Sequence, residues 1–182
     1  MAKLKPPVND EDHIEGSIQS PVIFLEYGDF QCPYCGAAYP IVKQIQKKFG
    51  DKLGFVFRHF PLAESHPYAQ ISAVASEAAA LQGKFWPMHD LIYENQTRLS
   101  PKALLTMAES LKLDLKKFQK DIQDPALIEK VETSFESGID SGVNGTPSFY
   151  VNGVKYEGPY DLPSLSHAIE KALAGHKEIT RH

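Results

Sequence analysis

The chain has two cysteines, and they stand three apart as Cys32-Pro33-Tyr34-Cys35. Residues i and i+3 of a helix face one another with Cβ atoms about 5–6 Å apart, whereas a disulfide needs them at about 3.5–4.5 Å. One helical turn can therefore close such a bond with modest distortion and reopen it readily. The loop so closed is too short to restrict the unfolded chain much. The pair is thus a poor staple and a well-arranged reversible redox couple. A disulfide-framed mini-fold is excluded, because it needs more than one pair. A four-cysteine zinc module lacks its second pair, and His59 and His66 do not complete a usual ligand spacing, so no metal site is expected. The expected redox group is the Cys32–Cys35 disulfide itself, with no separate cofactor.

The elements around the pair can be read from pattern. Residues 21–28 (PVIFLEYG) form an apolar run bounded by Pro and Gly. Val22, Phe24 and Glu26 point one way, and Ile23, Leu25 and Tyr27 the other. Both faces are mostly apolar, which predicts a central strand covered on both sides, in a parallel or mixed sheet. Downstream of the cysteines, Ala37, Ala38, Ile41, Val42, Ile45 and Phe49 recur at helical spacing, with Lys43, Gln44, Lys47 and Lys48 opposite. Pro33 suits the first helical turn and Gly50 the end, while Pro40 should kink the helix. A second strand is expected over 53–60.

Residues 64–141 read as helical, with cap chemistry at Ser100-Pro101, Asp114 and Asp124-Pro125. Beyond Gly142, residues 147–151 and 154–157 read as strands joined by a tight Asn152-Gly153 turn. Asp161 can cap a last helix over 162–175, with a frayed tail beyond Gly175, and the N-terminus reads as a polar start. The order β-α-β, helical block, β-β-α predicts an α/β core of residues 1–63 and 142–182 interrupted by a helical insertion over 64–141.

This placement decides the roles of the two thiols. Cys32 lies at a helix start, where the macrodipole favours an anion by about 0.3–1 kcal/mol. One pKa unit is about 1.36 kcal/mol, so direct hydrogen bonds must supply the rest of any large shift. Cys32 is therefore expected to be the low-pKa nucleophile, and Cys35, one turn further in, the resolving thiol. Asp29 is expected to serve the turn before the helix, with tuning of the site as the alternative; His59 and His89 are expected to be structural, and Phe85, Trp86 and Met88 to belong to the core rather than to a peptide groove.

Composition narrows the class further. A 42% hydrophobic and 23% charged chain of 182 residues is ordinary globular stock. Its net charge of −4 argues against nucleic-acid binding. No apolar window approaches a membrane span, and MAKLKPPVNDEDH offers no signal-peptide core. The expected location is cytoplasmic as the sequence stands, or periplasmic or otherwise extracytoplasmic if a leader was removed.

Three separated motifs, EYGDFQCPYC, VFRHFPL, and VNGTPSFYVNG followed by EGPYD, resemble the DsbA-like branch of the thioredoxin-fold thiol-disulfide oxidoreductases. The resemblance runs over roughly residues 12–174 and implies a thioredoxin fold with a helical insertion. It implies that Cys32 carries the mixed disulfide with protein substrates and that Cys35 resolves it. Glu26 matches the buried acid beneath the family's cysteine pair; desolvation there should raise its pKa and let it take the Cys35 proton. Thr146-Pro147 matches the family's cis-proline loop, which faces the cysteine pair and offers the Thr146 backbone to an extended substrate by strand addition. Cis bonds are only about 5–6% of X–Pro bonds, so local preference alone would have made this one trans. Pro33 and Tyr34 are expected to join Thr146 and Pro147 in meeting substrate.

One position departs from the strongest oxidants of the family, which carry CPHC. Tyr34 is neutral where they have histidine. The Cys32 pKa is therefore expected below the free value of about 8.5 and above the ~3.5 of those oxidants, and the potential near roughly −200 to −230 mV. The partners implied are protein or peptide thiols and disulfides. A second partner would supply or remove electrons: glutathione or a thioredoxin system in the cytoplasm, a quinone-linked membrane oxidase if exported. A monomer is expected. Two other classes stay open: a glutathione-dependent transferase or isomerase on a related fold, and a non-enzymatic redox-switch or peptide-binding module.

Overall fold

The structure is a computed structural model that describes residues 1–179, with side chains as far as His176. The strands are β1 (His13–Glu15), β2 (Val22–Gly28), β3 (Leu53–His59), β4 (Ser148–Val151) and β5 (Val154–Tyr156). The helices are α1 (Pro33–Phe49), α2 (Ala69–Ala80), α3 (Phe85–Glu94), α4 (Pro101–Ser110), α5 (Leu115–Asp121), α6 (Pro125–Asp140) and α7 (Leu162–Ile179). The strands form one mixed sheet in the order β1-β3-β2-β4-β5, so the apolar run at 22–28 is its central strand, as its two apolar faces require. The expected thioredoxin-type α/β fold is the observed one.

The chain divides into two compact units. The first holds Met1–Tyr27, Ala37–Arg58 and the chain from Ser137 onward. Its core is aromatic: Phe24 stacks on Phe149 at 5.1 Å between centroids and leans on Phe55 at 6.0 Å. β2 and β4 run antiparallel with Glu26 opposite Phe149. The hairpin between β4 and β5 turns on Asn152 (φ 48°) and Gly153 (φ 78°). Two successive positive φ values favour an Asn-Gly pair in such a turn. The Asn152 side chain also accepts the Ile23 N–H at 2.8 Å, tying the turn to the central strand. Gly50 ends α1 at φ +52°, and Pro40 is accommodated within that helix.

The termini carry more structure than the sequence pattern suggested. The polar start carries structure: β1 pairs antiparallel with β3, and Lys3 bridges Val154. Its anchor is Arg58 on β3, a buried guanidinium bonded to both Asp12 carboxylate oxygens (2.7 and 2.8 Å), to the carbonyls of Pro6 and Pro7, and to the Tyr27 hydroxyl. Burial opposes the Arg58 charge, but the hydrogen bonds to Asp12 and Tyr27 outweigh it and raise the Arg58 pKa. At the other end, α7 passes through Gly175, where the pattern had placed the last helical residue, to Ile179; Gly175 keeps out of the left-handed region that would end a helix. Residues 180–182, part of the expected tail, lie outside the described residues.

The second unit holds Gly28–Gly36 and His59–Glu136. Alanine-rich α2 is buried on nearly every side and packs against α3, α4 and α5. The expected caps form: Ser100 Oγ accepts the Ala103 N–H at 3.0 Å, Asp114 the Lys117 N–H at 2.9 Å, and Asp124 the Ala126 N–H at 2.9 Å. Phe30 is enclosed by the rings of Tyr93, His89 and His59, at 5.1, 5.6 and 5.9 Å between centroids. Phe85 and Met88 are buried core, and His59 binds Glu77 at 2.8 Å in a buried pair that Lys130 completes from the surface at 2.7 Å.

Candidate active site

The last residues of β2 lead straight into the cysteine turn. The Cys32 carbonyl accepts the Gly36 N–H at 3.0 Å, the first helical bond of α1, so Cys32 is the N-cap residue and Pro33 the first residue of the helix. Pro33 has no N–H to leave unsatisfied there. Both cysteines are buried, Cys32 at 4% exposure and Cys35 at 0%. Tyr34 between them is 65% exposed, so the turn presents a tyrosine to solvent and keeps its sulfurs back.

Asp29 organises this turn. Its Oδ1 accepts the N–H groups of Gln31 (2.7 Å) and Cys32 (3.2 Å), and its Oδ2 accepts the Leu62 N–H (2.9 Å) and pairs with His66 Nδ1 (2.7 Å). Its own N–H donates to the sulfur of Cys35 at 3.5 Å. The pre-helical role expected from sequence is met, but its extent is larger: one buried carboxylate gathers four donors and fixes the 62–66 loop to the turn. Gln31 extends the link, its Oε1 accepting the Tyr68 N–H ahead of α2 at 2.7 Å.

On the carbonyl side, Gln96 Nε2 donates to the Cys32 carbonyl at 2.7 Å and to the Phe30 carbonyl at 3.0 Å. Sequence reasoning missed this residue. It lies just beyond α3 in a polar stretch, Glu94-Asn95-Gln96-Thr97-Arg98, that looks like any exposed helix end. Gly36 was the only available hint, a glycine in the first turn of a helix where alanine would be better by about 1 kcal/mol.

The remaining expected site residues belong to the sheet unit. Glu26, at 2% exposure, sits in the middle of the central strand. The Thr146-Pro147 peptide is cis, as the resemblance implied, and enters β4 with the Ser148 hydroxyl bonded to the Gly145 carbonyl at 2.7 Å. On the same strand, burial, with Tyr27 adding to it, pushes the Tyr150 phenol up to about 12, and its hydroxyl donates to the Ser141 carbonyl at 2.8 Å. Among the described residues, no three His, Cys, Asp or Glu side chains gather where they could hold a metal ion. No described helix is long and apolar enough to cross a membrane.

Known proteins share this architecture. A segment of the Na(+)/H(+) antiporter NhaA 1 of Salinispora arenicola is 44% identical over 173 residues, covering 94% of this chain and 26% of that protein. The chain thus spans about a quarter of the length of the curated relatives it matches. BdbD from Bacillus subtilis superposes with a TM-score of 0.84 at 24% identity, covering 95% of this chain and 98% of that one. Wolbachia pipientis α-DsbA1 gives a TM-score of 0.85 at 20% identity, covering 96% and 97%. The family model described as Thioredoxin matches residues 8–171, which include both cysteines, the cis-proline and every strand. The chain belongs to the thioredoxin family and carries the fold of its DsbA-like members.

Proposed function

We propose that the protein is a thiol-disulfide oxidoreductase that exchanges disulfides with protein substrates through Cys32 and Cys35. The observation that carries this reading is the position of Cys32 as the N-cap residue of α1 with Cys35 one turn behind it. That arrangement favours an anion on the outer sulfur and an enclosed neutral thiol on the inner one.

In the reducing direction, the Cys32 thiolate attacks one sulfur of a substrate disulfide. A bond forms from Cys32 Sγ to that sulfur, and the other substrate sulfur leaves as a thiolate that takes up a proton. Cys35 then loses its proton and attacks Cys32 Sγ. The mixed bond breaks, the Cys32–Cys35 disulfide forms, and two electrons have passed to the substrate. The oxidising direction is the same path reversed, and the potential of the surrounding thiol pool selects between them. Glu26, a buried carboxyl on the central strand, is the group we assign to the Cys35 proton. Thr146 and Pro147, with Pro33 and Tyr34, are assigned to the substrate chain, which would add as an extended strand.

The antiporter name of the Salinispora relative describes a protein of which the matching segment is 26%. Ion transport is not carried over to this chain from that name. Catalysed reduction of insulin, or refolding of a reduced and scrambled protein, tests the proposal. Cys32→Ser abolishes either activity, and Cys35→Ser accumulates mixed disulfides with substrate. A Cys32→Ser protein with full activity would end this reading.

A further inference from the structure

We propose that Gln96 is a positioning residue that holds the cysteine turn by its carbonyls, and that residue 36 is glycine to leave it room; the inference rests on reading Cys32 and Cys35 as a redox couple. A primary amide has two N–H donors, and Gln96 directs them to the Phe30 and Cys32 carbonyls. The Cys32 carbonyl also takes the Gly36 N–H, so both of its lone pairs are engaged. A Cβ on residue 36 would overlap Gln96 Oε1 and lie 2.8 Å from its Cδ. The side chain of Gln96 therefore fills the space that any other residue at 36 would take. The same stretch of chain is fixed on its apolar side, where the Tyr93 ring meets Phe30.

The two polar anchors of the turn act oppositely on a thiolate at Cys32. Asp29 takes the amide side with a carboxylate, which disfavours a nearby anion. Gln96 brings the positive end of its amide dipole to the Cys32 peptide, which favours one. Removing the Gln96 donors leaves the Asp29 charge less compensated. The dithiol form, which carries the thiolate, is then weakened relative to the disulfide, and the protein becomes more reducing.

The test is equilibration of the purified protein with glutathione, with the oxidised fraction read by thiol alkylation and mass spectrometry. The reaction is protein dithiol plus oxidised glutathione giving protein disulfide plus two reduced glutathione. One S–S bond breaks in glutathione, one forms between Cys32 and Cys35, and two electrons and two protons pass. Gln96→Met keeps the length of the side chain without the donors and shifts this equilibrium toward the protein disulfide by at least about threefold. Gln96→Glu shifts it further, because it sets a carboxylate against two carbonyls. Gly36→Ala, a change that favours the helix itself, evicts Gln96 and produces the Gln96→Met shift. The Gly36→Ala, Gln96→Met double variant shifts no more than either single, the non-additivity expected of residues that act through one contact.

An unmoved equilibrium in Gln96→Met, even with a lowered melting temperature, overturns the proposal, as does a double variant in which the two shifts add. A wild-type protein that exchanges no electrons with glutathione would instead overturn the redox reading itself.

Discussion

The backbone N–H of Asp29 points at the sulfur of Cys35, 3.5 Å away, while the carboxylate of the same residue accepts the N–H of Cys32. A single buried residue therefore contacts both halves of the redox pair, through its main chain on one side and its charge on the other. Asp29→Ala would remove the acceptor from the Gln31 and Leu62 amides, at a cost of about 2–4 kcal/mol measured by urea unfolding. Asp29→Asn keeps the shape, costs less, and removes a negative charge beside Cys32. Its expected redox effect is opposite in sign to that of the Gln96 variants: a lower Cys32 pKa and a more oxidising protein. A more reducing Asp29→Asn protein would contradict the electrostatic part of the argument.

Tyr34 carries the second prediction. At 65% exposure it can be changed with little consequence for packing. Tyr34→His places a donor and a partial positive charge next to Cys32, as in the strongly oxidising members of the family. Each unit by which the Cys32 pKa falls makes the potential more oxidising by up to about 30 mV. The wild-type protein is expected between about −200 and −230 mV against glutathione; a value near about −120 mV would refute the argument from the Pro33-Tyr34 dipeptide.

How much of this was legible in the sequence follows from how local each signal is. The central strand, the Cys32 helix start, the Asn152-Gly153 turn and the caps at Ser100, Asp114 and Asp124 each depend on neighbours a few residues away, and each could be read. β1 could not, because three residues of mixed polarity become a strand only when β3 offers an edge. Asp29 was legible as a turn residue but not as a hub, since Leu62 and His66 reach it from more than thirty residues away. Gln96 was invisible for the same reason, with 64 residues separating it from Cys32. The cis bond before Pro147 ran against local preference and was legible only through family resemblance.

The N-terminal segment supports the third prediction. Arg58 and Asp12 form a bidentate, largely buried ion pair, and Arg58 also takes the Pro6 and Pro7 carbonyls. Removing one partner of a buried pair leaves the other charge uncompensated, at a cost of about 3–5 kcal/mol. Arg58→Met should lower the melting temperature accordingly and accelerate amide exchange across β1. A change within about 0.5 kcal/mol would mean the pair is solvated and peripheral.

Tyr150 supports the fourth. Its pKa is raised to about 12 in the folded protein from 10.0. Between those values the folded state holds a proton that the unfolded state has lost, so stability is fully present below about pH 10 and falls as pH rises toward 12. Tyr150→Phe loses the hydrogen bond to Ser141, costing about 1 kcal/mol at neutral pH, and it removes this group's share of the alkaline loss. Urea midpoints of both proteins across that range measure the difference; parallel curves would contradict it.

The most direct measurement is the ultraviolet absorbance of thiolate as the reduced protein is titrated, repeated on Cys35→Ser to assign the groups. One sulfur, Cys32, should ionise well below the roughly 8.5 of free cysteine and above about 3.5, with Cys35 ionising later. Two sulfurs that both titrate near about 8.5 would contradict the account at its root.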